Sequence, residues 1–420
     1  MVSKEKNIPK RRFKEFENAP AWEQRKLGEL GNTYTGLSGK TKDDFGHGSA
    51  QFVTYMNVYS NSIAKLNDTD NVEIDDHQNK VQYGDVFFTT SSETPEEVGL
   101  TSVWLGNDDN TYLNSFCFGY RPKIEIDPYY LAYVLRSNII RRKMFVLAQG
   151  VSRFNISKKK VMELSIPMPS IEEQQHIGSY LMKLDTLITL QQCKIDKLKN
   201  LKKSYLSELF PSDGENLSKR RFKEFENAPT WEQRKLGELG NTYTGLSGKT
   251  KDDFGHGNAQ FVTYMNVYSN SIAKLNDTDN VEIDDHQNKV QYGDVFFTTS
   301  SETPEEVGLT SVWLGNDDNT YLNSFCFGYR PKIEIDPYYL AYVLRSNVIR
   351  RKMFVLAQGV SRFNISKKKV MELSIPMPSI EEQQHIGSYL MKLDTLITLQ
   401  QRKLDKLKNL KKAYLSEMFI

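Results

Sequence analysis

The chain has 420 residues, 39% of them hydrophobic and 26% charged, with a formal net charge of +2; that is long enough for two or three domains, and the near-neutral total neither announces nor excludes a nucleic-acid partner. Its three cysteines show no metal-ligand spacing, which excludes a disulfide framework and fits a reducing cytoplasm. Met1 to Arg12 is charged and lacks an apolar core, and no run of about eighteen apolar residues occurs, so neither a signal peptide nor a membrane span is expected.

An internal repeat settles the domain count. Lys10 to Phe210 returns as Lys219 to Phe419, each position 209 residues later, with seven substitutions: Ala21/Thr230, Ser49/Asn258, Ile139/Val348, Cys193/Arg402, Ile195/Leu404, Ser204/Ala413 and Leu209/Met418. Only Cys193/Arg402 changes the chemistry, so both copies should fold alike, present the same surface and bind the same thing.

Each copy opens with a charged lead, Arg11 to Asn18, and a short amphipathic element, Trp22 to Leu30. Leu27 to Thr41 has the outline of a helix-turn-helix, but Gly39, Asp43, Asp44, Gly46 and Gly48 break the would-be recognition helix. Strands are expected at Gln51 to Met56, Val81 to Thr90 through a Gly84-Asp85 turn, Thr101 to Leu105 and Ser115 to Tyr120, where aromatic and β-branched residues dominate. Helices follow at Tyr129 to Leu135, Ile139 to Leu147 and Lys158 to Glu163, before Leu164-Ser165-Ile166-Pro167 leads into a long helix.

That helix has a clear start, because Ser170 and Glu173 form a capping box just after Pro169. Ile177, Leu181, Leu184, Ile188, Ile195 and Leu198, with Gln191 taking one turn, then make a heptad seam, repeated by Ile386, Leu390, Leu393, Ile397, Gln400, Leu404 and Leu407. A seam needs a partner helix, and the second copy supplies it. At about 1.5 Å per residue each helix is a rod of roughly 60 Å. Pro211 to Asn216 reads as a helix stop and flexible joint, and Pro211 to Asn227 reaches at most about 58 Å when stretched. Parallel rods would need about 60 Å of return path, so antiparallel rods with a globule at each far end, related by an approximate dyad, are expected. The expected fold class is α+β: two α+β domains separated by a long antiparallel two-helix coiled coil, pseudo-twofold symmetric. The boundaries are 1–169 and 219–378 for the globules, 170–210 and 379–420 for the helices, and 211–218 for the linker.

Familiar catalytic patterns fail on inspection. Gly39-Lys40-Thr41 lacks the phosphate-loop glycine, since Tyr34 stands five residues before Gly39. Asp127-Pro128-Tyr129 lacks the second proline of an amino-methyltransferase tetrapeptide, and its proline opens a helix. Pro211, Asp213, Glu215 and Lys219 mimic nuclease letters at the wrong spacing. His47, His77 and His176 lie apart without metal-ligand spacing, and His176 reads as a packing or surface residue. No nucleophile or acid-base pair stands out in the sequence. A single-chain nuclease or methyltransferase therefore stands as a competing class without its motifs, and a coiled-coil scaffold with no DNA role is the other.

Polar loop residues beside aromatics do stand out. They are Asn57, Tyr59 and Ser60 after one strand, Thr89, Thr90, Ser91 and Ser92 after another, and Gln149, Ser152, Arg153 and Asn155 between two helices, with Lys158 close by and Lys40 and Thr41 upstream. Their copies are Lys249, Thr250, Asn266, Tyr268, Ser269, Thr298, Thr299, Ser300, Ser301, Gln358, Ser361, Arg362, Asn364 and Lys367. Asn and Gln suit adenine in the major groove and Arg suits guanine, while Arg136, Arg141, Arg142, Lys143 and Lys158 to Lys160 are candidates for phosphate contacts. The same Ser, Thr and Asn residues are also ordinary turn formers.

Ile166-Pro167-Met168-Pro169-Ser170-Ile171-Glu172-Glu173-Gln174, Leu184-Asp185 with Lys194, Lys197 and Leu198, Gly84 to Thr89 and Gly150 to Ile156, each occurring twice, carry a resemblance over almost the whole chain. The chain resembles the specificity subunit of a Type I restriction-modification system. The resemblance implies two target-recognition domains, each reading half of a bipartite DNA site, with the helices setting the spacer. It also implies a non-catalytic chain: adenine methylation belongs to two modification subunits docked on the helices, and cleavage with ATP-driven translocation to restriction subunits. No cofactor is then expected on this chain, with S-adenosylmethionine, ATP and Mg on the partners. Most members carry two different recognition domains. Two nearly identical ones imply a palindromic site.

Overall fold

A computed structural model of the chain describes residues 7–420. It divides into two compact units, Met1–Gln192 with Arg402–Ile420, and Cys193–Gln401. The units cut across the repeat, because each contains one α+β module, the N-terminal half of its own long helix and the C-terminal half of the other.

In the first module the order is β1 (Glu23–Lys26), α1 (Leu27–Leu30), β2 (Gly31–Thr35), β3 (Phe45–Val53), α2 (Tyr55–Ser60), β4 (Thr69–Val72), β5 (Val86–Thr89), β6 (Ser91–Ser92), β7 (Thr101–Val103), β8 (Thr111–Leu113), β9 (Cys117–Pro122), α3 (Pro128–Val134), α4 (Asn138–Leu147), β10 (Phe154–Asn155), α5 (Lys158–Met162), β11 (Ser165–Met168) and the 38-residue α6 (Ile171–Glu208). Strands β2-β9-β5-β7 form an antiparallel sheet, and β4-β3-β8 a second one in which β3 and β8 run parallel. The second copy repeats these elements and registers.

Strand β5 shows why the core sits where it does. Its Val-Phe-Phe run is apolar on both faces because both are covered. Val86 and Phe88 join Phe118, Tyr120 and α3 in one core, while Phe87 joins Trp104, Leu113 and Val53 in another. Asp85, at the head of this strand, is fully buried. Its carboxylate accepts from the Arg121 guanidinium (2.8 and 2.7 Å), the Tyr34 hydroxyl (2.7 Å) and the Gln82 N–H (2.8 Å), so it ties β2, β5 and β9 together. Burial above all, and then the Asp85 charge, push the Tyr34 hydroxyl pKa well up.

Pro128 opens α3 as expected, with Asp127 accepting from the Tyr130 N–H, and Ser170 accepts from the Glu173 N–H at the start of α6; the capping box is only half formed, because the Glu173 carboxylate is taken by Arg12 and Trp22. The seam residues Ile177, Leu181 and Leu184 are buried in the module core with Met418 and Phe419. At Gly178 a Cβ would lie 2.4 Å from an Asp127 carboxylate oxygen, so the absence of a side chain lets α6 pass the start of α3. Tyr180 meets Tyr414 edge to face at 5.0 Å and Lys411 bonds Asp185 at 2.5 Å. Partners thus descend along one helix as they ascend the other, which is antiparallel pairing. Tyr133 donates to the same Asp185 at 2.8 Å, joining module to helix pair. In the second unit the roles are exchanged: Tyr205 meets Tyr389, and Lys202 bonds Asp394. The α+β class and the antiparallel coiled-coil pairing expected from the sequence are found in both units.

Several local expectations change. Trp22 to Leu30 is not one amphipathic element, because β1 pairs with β11 and only Leu27–Leu30 is helical. The stretch after β3 is helix α2 rather than a polar loop, since Thr54 accepts from the Asn57 N–H and caps it. The linker is anchored rather than a flexible joint: Pro211 is buried, Asp213 pairs with Lys352 at 3.0 Å and the Trp231 N–H donates to the Asn216 carbonyl. His176 packs against the rings of Phe13 and Phe16.

Candidate nucleic-acid interface

Helix α2, strand β6 and the 149–155 loop enclose an open cleft of about 510 Å³, matched by one of about 620 Å³ in the second module. The wall on the α2 side is Tyr55, Met56 and Tyr59, and across from it lie Ser91, Ser92, Glu93, Glu97, Phe116 and Arg153. Tyr55 and Tyr59 stack at 6.0 Å, and the Tyr55 hydroxyl donates to the Ser91 carbonyl. Burial pushes the Tyr55 pKa up, with the positive charge of Arg153 working against the shift. Glu97 accepts from the Tyr59 hydroxyl and the Ser92 hydroxyl, and these bonds hold its carboxyl below the usual range.

The structure sorts the sequence candidates by whether their polar atoms are already used. Asn57 and Asn266 are fully buried. Asn57 donates to the Lys65 and Asp68 carbonyls at 2.8 Å and accepts from the Lys65 N–H, so it closes a turn and does not read bases. Thr89 and Thr298 are buried, each accepting from a backbone N–H, of Leu100 and Leu309. Thr90 and Thr299 donate to the Phe116 and Phe325 carbonyls. Tyr59 and Tyr268, with Ser92 and Ser301, are bound to Glu97 and Glu306. Thr41 and Thr250 cap the short helices that follow them. Lys40 and Lys249 pair with Asp75 and Asp284 at 3.0 Å, and these lysines, with backbone and glutamine donors, hold each carboxyl down to about 2. Tyr59 and Ser92, with Tyr268 and Ser301, line the clefts with their hydroxyls bound to Glu97 and Glu306, and the other side chains spend their polar atoms within the module.

Three phosphate candidates are already committed: Lys143 donates to the Ser165 carbonyl at 3.0 Å, and burial lowers its pKa. Arg136 donates to the Thr101, Val58, Tyr59 and Asn61 carbonyls, satisfying the C-terminal end of α2. Arg141 donates to the Glu96, Val98 and Gly99 carbonyls. Burial lowers both guanidinium pKa values to about 10. Their function is to hold the cleft walls.

Of the other candidates, Ser91 and Arg153 line the first cleft and Ser300, Ser361 and Arg362 the second. Ser60, Gln149, Ser152, Arg153 and Asn155 are exposed, as are Ser269, Gln358, Ser361, Arg362 and Asn364. Ser91 is half-buried and Ser300 buried, and each pairs through its backbone with Asn155 or Asn364. Lys158 and Lys367 lie over the Phe118 and Phe327 rings at 5.6 Å. Among the described arginines from Arg11 to Arg153, only Arg142 and Arg153 make no hydrogen bond or ion pair. Met56 and Phe116, 59% and 58% exposed, were not among the candidates; a lone large apolar residue outside any period was the only sequence signal. Replacing Arg153 and Arg362 with Ala should relax recognition at one base pair in each half-site by about 1–3 kcal/mol, the worth of a bidentate guanine contact, as read by gel shift on single-base-substituted duplexes.

Two copies of a cleft that carries an arginine, on α+β modules joined to long paired helices, define a duplicated recognition protein. The family model described as "Type I restriction modification DNA specificity domain" matches residues 20–200 and again 229–409, and the chain belongs to that family, with two DNA specificity domains. A Methanocaldococcus jannaschii chain named "Putative type I restriction enzyme MjaX specificity subunit" is 26% identical over 98% of this chain and 96% of its own length. The MjaVIII specificity subunit of the same organism is 24% identical over 69% of each chain. The crystal structure of the Type-I restriction-modification system S subunit from M. genitalium superposes with a TM-score of 0.58 at 16% identity, over 98% of this chain and 99% of that one, a likeness of fold. The chain is therefore a non-catalytic recognition subunit whose partners are DNA and a restriction-modification complex. No helix among the described residues is long and apolar enough to cross a membrane.

Proposed function

We propose that this chain directs adenine methylation and restriction, in the cytoplasm, to a bipartite palindromic DNA site: one half-site and its reverse complement around a fixed gap. The observation that carries the reading is that the two clefts are lined by matching residues, with Arg153 and Arg362, which make no side-chain hydrogen bond or ion pair, at the same place in each. Equal readers select equal half-sites. The reciprocal helix contacts, Lys411 with Asp185 and Lys202 with Asp394, favour the inverted rather than the direct arrangement. Two modification subunits dock on the helices, where Leu187, Leu190, Leu201, Leu396, Leu399 and Leu410 are exposed outside the seam, and restriction subunits join them. S-adenosylmethionine, ATP and Mg bind those partners, with no cofactor on this chain.

Methylome sequencing of cells carrying this chain with its modification partner is expected to return methylated adenine in an interrupted palindrome. Two unrelated half-sites, or a direct repeat, would remove the equal-reader argument.

A further inference from the structure

Val151 and Val360 are each 96% exposed, more than any other large hydrophobic residue among those described. The backbone around Val151 is nevertheless held in place. Gln149 and Asn155 exchange two N–H to carbonyl bonds at 2.9 Å, and Phe154 and Asn155 pair with Ser92 and Ser91 at the cleft edge. Gly150 has φ +146°, and a Cβ there would lie 2.0 Å from the Arg153 carbonyl oxygen; only glycine permits the sharp turn that turns the next residue outward. Val146, 78% exposed, and Phe145, 45% exposed, lie at the end of α4, on the same helix as Arg142.

An apolar tip on an anchored hairpin gains nothing in water. It is followed along the chain by cations that make no side-chain hydrogen bond or ion pair, Arg153 two residues on and the exposed Lys159 and Lys160 in α5. Cations that bind phosphates would bring the tip into a groove, and the apolar feature that a major groove offers is the thymine C5 methyl group. We propose that Val151 and Val360 read one thymine in each half-site through its methyl group, beside the base contact of Arg153 and Arg362. This inference rests on the DNA-reading function above and adds the residue and the base to it.

The test uses the full chain with its modification partner and duplexes carrying the methylated motif, in which each thymine in turn is replaced by uracil, which lacks only the methyl group. One thymine per half-site should respond with about fourfold weaker binding, the factor corresponding to ~0.8 kcal/mol for one buried methyl-sized group. In the Val151→Ser, Val360→Ser variant that position should lose its sensitivity while salt-dependent duplex binding persists; the exposure of both residues keeps the variant folded. A variant that retains the wild-type uracil penalty, or a wild-type complex indifferent to every uracil, overturns the inference and leaves the DNA-reading function standing. A wild-type complex that binds no duplex overturns both.

Discussion

Glu173→Ala should destabilise the first unit by about 3–5 kcal/mol, the loss expected when one partner of a buried ion pair is removed. The Glu173 side chain is 1% exposed and that of Arg12 6%. The two meet through both carboxylate oxygens at 2.7 Å, and the Trp22 indole N–H donates to the same carboxylate at 3.1 Å. Arg12 also donates to the Ala19 and Pro20 carbonyls, so one carboxylate in the first turn of the long helix fixes the lead segment and the first strand. Alanine leaves a buried guanidinium without its counter-ion, held only by the two carbonyls, and a buried indole N–H without an acceptor, and neither can turn to water without unpacking the segment. Urea unfolding followed by tryptophan fluorescence should show the loss, and Glu382→Ala should match it, since Arg221 and Trp231 repeat the geometry. The exposed neighbour Glu172 supplies the control. A change of less than about 1 kcal/mol in Glu173→Ala, the range of a surface pair, would mean that the pair does not hold the module to its helix.

The parts of this molecule legible in its sequence are those set by local chemistry and period: the duplication, the two rods with their seams, and the helix starts at Pro128 and Ser170. Antiparallel pairing was also reachable, because the linker limits the path. What sequence could not supply was the partner of each polar side chain. Asn57 and Gln149 are equally good adenine readers by chemistry, yet Asn57 spends its amide on a turn closed by Lys65 and Asp68, and the Gln149 side chain stays in solvent. Arg136 and Arg142 belong to one basic run, but Arg136 is committed to four carbonyls. Tertiary burial decides between such pairs. The short strands β1 and β2 were missed for a related reason, since their pairing with β11 and β9 spans most of the module and leaves little trace in local propensity.

A chain cut to one repeat, residues 10–210, should be a homodimer. In the full protein the N-terminal half of α6 is covered by the C-terminal half of the other long helix, and Leu209 and Phe210 at its far end are buried in the second module's core with Leu198 packed against it. A continuous 38-residue helix cannot fold its own ends together, so a single repeat keeps one uncovered seam at Ile177, Leu181 and Leu184 and one apolar end at Ile195, Leu198, Leu209 and Phe210. A second copy covers both at once, because each chain supplies the half that the other lacks. Four such side chains are worth about 6–12 kcal/mol at roughly 1.5–3 kcal/mol each, gained twice in a dimer and set against an association cost of about 4–15 kcal/mol. Sedimentation equilibrium should therefore report two chains, and Tm should rise with protein concentration. A monomer with native near-UV circular dichroism and a Tm independent of concentration would show that the module does not need the borrowed helix half.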